Sequence, residues 1–145
     1  MRINKFCKMH IEKLDIPKNE KIDFLKYYDL FLDGDNSPSF TVIENDVVKG
    51  CAGIRGISKG VGEAWFGFNH GFLEKHKKVL CVKVKNYCDF IAVTYDIHRI
   101  QALVECGNEI HKRFIEVLGF QLEGTLRAYD EYKNDWLMYS TMKGV

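Results

Sequence analysis

Four side chains stand where local patterns begin or end and are of types that can move protons or hold a polar ligand. They are Glu63 at the start of an apolar strand pattern, Glu105 at the end of another, Asn108 at the turn that follows, and His111 in the next helical turn. A carboxylate at a strand end can take a proton through water, and histidine, with an unperturbed pKa of about 6.5, can give one up at neutral pH. Each also has a plain structural reading. The carboxylates can be solvent-exposed or paired with a lysine, His111 can be a surface residue of a first helical turn, and Asn108 can be an N-cap alone. Cys106 would need a depressed pKa and a paired base to act as a nucleophile; neither is visible, so it reads as a buried apolar thiol. Cys7-x-x-His10, and His70 with His76, complete no four-ligand metal set at recognisable spacing, so no metal site is assigned.

The elements that position these groups follow from periodicity. Ile100 to Glu105 alternates as a strand does, whereas Ile110, Phe114, Val117 and Leu118 recur at helical spacing, so the period switches near Gly107-Asn108. Asn108 suits an N-cap, Gly119 suits the left-handed residue that ends a helix, and Phe120 and Leu122 fall on one face of a following strand. Upstream, Phe40 to Glu44 and Val47 to Ile57 flank the tight turn Asn45-Asp46 and form an antiparallel hairpin. Gly50, Gly53 and Gly56 in its second strand mark either a bulge or close backbone approach, or plain turn and edge positions. Gly62 to Phe68 is another strand, and Phe72 to about Tyr95 a helix with Leu80, Val84, Tyr87 and Ile91 on one stripe and its lysines on a solvated face. With the strand at Ile100 it makes a βαβ unit, parallel and right-handed.

At the N-terminus, Phe6, Met9 and Leu14 fit a helix face and Arg2 to Cys7 fits a short strand; the strand is preferred. A break at Pro17, a helix from about Glu20 and a loop over Asp33-Gly34-Asp35-Asn36-Ser37-Pro38 follow. Asp130 to Asn134 is a loop, and Trp136 to Met142 a last strand paired with Phe120 to Leu126. The predicted order is strand, helix, three strands, helix, strand, helix, two strands.

With 145 residues and a formal charge of +1, the chain is one domain's worth, 1–145, and no strongly basic nucleic-acid binder. Five cysteines without framework spacing point to free thiols in a reducing compartment. No apolar run is long enough to span a bilayer, and no signal-peptide core follows Met1 to Lys5, so a cytoplasmic protein with no membrane or nucleic-acid partner is expected. No interface is legible, and the oligomeric state stays open.

Asn108-Glu109-Ile110-His111, then Leu118-Gly119-Phe120, Leu122-Glu123-Gly124 and Leu126-Arg127, resembles the C-terminal half of a GNAT-type N-acetyltransferase, nearest the branch that acetylates protein N-termini. The resemblance covers roughly the last third of the chain. It implies a mixed α/β fold: a mainly antiparallel sheet with one splayed parallel pair and helices on both faces. It further implies acetyl-CoA as co-substrate and an amine acceptor on a protein or small molecule, joined by direct attack. In such proteins the pantetheine arm lies between the splayed strands, which places the backbone of Trp65, Phe66 and Gly67 at the thioester end and an open cleft between Trp65-Phe66 and Val104-Glu105. Asn108 matches the turn asparagine that contacts the cofactor arm. His111 stands where the N-terminal-acetylating branch often has serine, at the mouth of that cleft and in place to protonate the leaving thiolate.

Two departures accompany the match. The tyrosine that serves as general acid, seven positions after the asparagine, is Ile115 here, and the Arg/Gln-x-x-Gly-x-Gly/Ala pyrophosphate loop is replaced by Phe68-Asn69-His70-Gly71-Phe72-Leu73-Glu74-Lys75-His76. This segment is similar to small acetyltransferase-like proteins of tailed phages, some of them virion components. A catalytically silent protein-binding module, or a binder of another small molecule in the same cleft, is therefore the alternative to an enzyme.

Overall fold

The chain folds as β1 (Arg2–Asn4), α1 (Lys8–Lys13), α2 (Lys18–Phe31), β2 (Ser39–Glu44), β3 (Val47–Ser58), β4 (Val61–Phe68), α3 (His70–Thr94), β5 (Arg99–Glu105), α4 (Glu109–Val117), β6 (Gln121–Leu126) and β7 (Trp136–Met142). The structure is a computed structural model and describes residues 1–32 and 37–144. Seven strands hydrogen-bond in the order β1-β2-β3-β4-β5-β7-β6. β4 and β5 run parallel, as the βαβ pattern requires, while β1–β2, β2–β3, β5–β7 and β6–β7 are antiparallel. The result is a mixed α/β fold.

The chain forms two compact units, one of Met1–Arg55 with Trp65–His76, the other of Gly56–Ala64 with Lys77–Val145. In the first unit, Asn45 and Asp46 both take left-handed backbone (φ 51° and 62°), the geometry of a type I′ turn, and set the register Glu44↔Val47. Residues 2–14 hold both a strand and a helix, each shorter than read: β1 ends at Asn4, α1 runs Lys8–Lys13, and Phe6 and Leu14 flank the helix as buried residues. Two helices therefore precede the hairpin, not one. Pro17 caps α2, which starts two residues earlier than expected, since proline's fixed φ and missing N–H are tolerated there. Of the loop expected at Asp33 to Pro38, residues 33–36 lie outside the described residues.

The core of this unit gathers Phe6, Ile11, Leu14, Phe24, Leu32, Ile43, Val48, Cys51 and Trp65. Trp65 sits edge-on to Phe6 and Phe24, with ring centroids at 4.9 and 5.6 Å. Gly50 and Gly53 are the close-approach glycines the sequence allowed for: a Cβ at the first would overlap the Phe68 ring, and at the second the Trp65 ring, with Pro38 O at 2.7 Å. Gly56 has nothing within 4 Å. Gly53→Ala should therefore lower stability by about 1–3 kcal/mol in a urea unfolding curve, because neither the indole nor the carbonyl has room to retreat.

In the second unit β5 is flanked by β4 and β7. Ile100, Ala102 and Val104 are buried, and Arg99, Gln101, Leu103 and Glu105 alternate with them as a half-buried row. α4 packs against β5 and ends as read from Gly119, which has φ 91°. The Gly119 N–H bonds Glu116 O and the Phe120 N–H bonds Ile115 O, the paired closure of a Schellman motif. Phe120 is thus the residue after the cap, buried at 6%, and not a strand residue; Leu122 on the edge strand β6 is 55% exposed.

α3 departs further from expectation. It begins at His70, not Phe72, because Asn69 caps it: Asn69 Oδ1 accepts the Phe72 N–H at 2.9 Å. It is also broken at His76 (φ −110°, ψ 17°), so the single continuous helix expected is two helical stretches. No helix among the described residues is long and apolar enough to cross a membrane.

Candidate active site

A line of polar side chains crosses four strands of the second unit. Glu63, 3% exposed between Gly62 and Ala64, accepts at Oε1 from Gln101 Nε2 at 3.2 Å. Gln101 Oε1 accepts from Arg99 Nε at 3.2 Å, and Arg99 clasps Glu123 through Nη1 at 2.6 Å and Nη2 at 2.8 Å. Ser140 Oγ donates to the same Glu123 carboxylate. Glu63 and Ser140 both face Gln101 in register, on opposite sides of β5. The exposed reading of Glu63 is thus overturned: it is buried although it shares the face of half-buried Gln101, its partner in register.

The Arg99 hydrogen bonds, then Ser140, hold the Glu123 carboxyl down to about 2 against an ordinary 4.5. The folded carboxyl binds its proton less readily than the unfolded one, so this pair's contribution is complete above about pH 4.5 and lost as pH falls toward about 2. The stability gap between wild type and Glu123→Gln, followed by urea unfolding, should narrow across that window; a gap independent of pH would contradict the pairing.

Asn108 is the N-cap expected, accepting the His111 N–H at Oδ1 (3.0 Å). With the amide oxygen so engaged, its Nδ2 faces His111 Nδ1 at 3.1 Å and donates to it, which assigns the ring proton to Nε2. His111 is half-buried, and its Nε2 is buried. Asn108 and His111 are thus one hydrogen-bonded unit.

Glu105 ends β5, half-buried, and its carbonyl accepts the Asn108 N–H at 3.0 Å. Four residues separate it from Gln101, the partner of Glu63 in register, about 13 Å along the strand, so Glu63 and Glu105 form no carboxylate pair. Ile115 is 1% exposed and holds no polar group, as the sequence already shows. A buried phenol does lie in this unit, Tyr139, but its hydroxyl donates to Glu116 Oε1 at 3.0 Å, and burial with that bond pushes its pKa up to about 12. Cys106 is a free thiol, like the other four cysteines.

In the first unit, Trp65 turns its side chain into the core, which leaves backbone N–H and C=O as the groups it can offer a ligand. Phe66 is half-buried beside Phe68, and the Phe24 ring covers Gly67. At the start of α3, where a pyrophosphate would take first-turn N–H groups, the Phe72 N–H is already bonded to Asn69, and Glu20 Oε1 stands 3.1 Å from His70 Nε2. Sequence reasoning missed Gln101, Arg99, Glu123, Ser140 and Asn69. The spacing of Asn69 and Phe72 was a readable cap signal; the others depend on strand register.

A family description, the acetyltransferase (GNAT) domain, matches residues 2–138. An uncharacterised N-acetyltransferase, p20, of Bacillus licheniformis is 33% identical over 119 residues, which span 79% of this chain and 67% of that protein. Among solved structures, a spermidine N-acetyltransferase of Vibrio cholerae has TM-score 0.64 at 13% identity, over 98% of this chain and 95% of its own. The microcin C7 self-immunity acetyltransferase, solved with acetyl-CoA and AMP, has TM-score 0.64 at 13% identity, over 88% and 72%. At such identities the structural likeness speaks for the fold alone. The chain belongs to the GNAT acetyltransferase family, whose members use acetyl-CoA and act on amines of small molecules or proteins. It is an acetyltransferase, and acyl transfer is its chemistry.

Proposed function

We propose that this chain transfers an acetyl group from acetyl-CoA to a primary amine by direct attack, the acceptor being a protein N-terminus or a small-molecule amine. The observation that carries this reading is the buried Glu63 carboxylate, one residue before the last pair of the parallel ladder, Ala64↔Ala102. A buried carboxylate held by a side-chain hydrogen bond just before the parallel ladder ends is an arrangement suited to a general base. The amine nitrogen attacks the thioester carbonyl and the C–S bond breaks; the amine's proton passes through water to Glu63, and the leaving thiolate, steadied by a hydrogen bond from the neutral His111 Nε2–H, takes its proton from solvent. Glu105 is the reserve base. For the acetyl-pantetheine arm the first unit offers the backbone of Trp65, Phe66 and Gly67, which the arm would pair with as an added strand does, and the second unit offers the Asn108 side chain.

A second reading, a silent module that binds a protein, is favoured by one feature. The start of α3 is capped by Asn69 and carries the Glu20 carboxylate at His70, which weakens it as a pyrophosphate cradle. Release of CoA thiol during incubation with acetyl-CoA and an amine panel separates the two. Spermidine, free amino acids and peptides with free N-termini suffice as the panel; turnover of any supports the enzyme, and none above hydrolysis supports the module.

A further inference from the structure

We propose that Gln101 is a positioning residue for acetyl transfer: held in one amide orientation by Arg99, it points its amide hydrogens at Glu63 and fixes that carboxylate for the incoming amine. The inference rests on the reading of Glu63 as base. Gln101 lies between a group that only donates and a group that only accepts. A guanidinium has no acceptor and a carboxylate no donor, so Oε1 must face Arg99 Nε and Nε2 must face Glu63 Oε1, both at 3.2 Å. Turning the amide over would set donor against donor and acceptor against acceptor.

Arg99 is itself fixed, by two bonds to Glu123 whose carboxylate also receives Ser140 Oγ, a hydroxyl 4% exposed. The orientation of Glu63 is thus set by residues on β5, β6 and β7, at sequence separations of 24 and 38 along the line. The amide also keeps charge out of the relay. Glu123 meets the Arg99 charge, and Gln101 passes on only the geometry.

A double-mutant cycle on the full chain, with spermidine or an N-terminal peptide as acceptor, tests the inference. Gln101→Met keeps length and apolar stem but loses the amide; kcat should fall about tenfold while the KM for acetyl-CoA stays unchanged. In a Glu63→Gln background the same change should cost less than about twofold, because a residue acting only through Glu63 has nothing left to position. Equal losses in both backgrounds overturn the proposal and leave the base standing, whereas an unchanged kcat for Glu63→Gln alone overturns the base assignment. Side-chain 15N spectra decide independently of turnover. The Gln101 amide should be protected from exchange in the wild type and exchange at least about tenfold faster in Arg99→Met. A wild-type amide already unprotected overturns the proposal.

Discussion

Glu63→Gln should lower kcat for acetyl transfer by about 10²–10⁴-fold, the usual worth of a positioned general base. The KM for acetyl-CoA should change little, because the group lost acts on the amine's proton and not on the co-substrate. Glutamine matches glutamate in shape and can still accept a hydrogen bond from Gln101 Nε2, so the row Glu63, Gln101, Ser140 should survive and the melting temperature should hold. Glu105→Gln serves as the internal comparison. Since Glu63 pairs with Gln101, and Glu105 lies about 13 Å further along β5, only one should show the large loss. Steady-state kinetics with a single turned-over amine would check both, and a large loss at Glu105 with none at Glu63 would reverse the assignment.

Trp65→Ala should destabilise the protein by about 3–5 kcal/mol, the range for deleting a large buried aromatic. The indole closes over Gly53 and meets Phe6 and Phe24 edge-on, so its removal opens a cavity that three fixed neighbours cannot fill. Trp65→Phe should lose less, because a smaller ring can still meet the two phenylalanines. The proposed hold on the thioester uses Trp65 backbone and not its side chain; Trp65→Phe should therefore keep acetyl-CoA affinity within about twofold while its urea midpoint falls. An affinity loss much larger than the stability loss would move the side chain from the core into the binding role.

What could be read in the sequence was local chemistry. Asn45-Asp46, Asn108 and Gly119 announce their elements because each supplies a cap or a left-handed residue within a few positions of where it is needed. The helix at α3 was harder to read. Apolar residues continue through His76, so periodicity alone carries the helix across a break that only backbone angles reveal. Leu122 misled for the opposite reason: an apolar residue in a strand pattern suggests a buried face, yet β6 is the edge of the sheet.

The site divides the same way. Asn108 and His111 are three residues apart on one turn, so their cap and hydrogen bond were within reach of spacing rules. Glu63 was visible as a candidate, but its burial and its tie to Gln101 come from pairing between strands joined by a long helix. No spacing rule reaches 38 residues. The Arg99–Glu123 clasp also needs the bulge in β6 between Leu122 and Gly124, which sets where Glu123 falls against β7.

The most direct test of acetyl transfer by this chain is a calorimetric titration of the full chain with acetyl-CoA, paired with a thermal shift. A saturable heat and a raised melting temperature are expected, both weakened by Asn108→Ala. No heat and no shift at millimolar acetyl-CoA would contradict the enzyme reading and leave the fold serving another purpose.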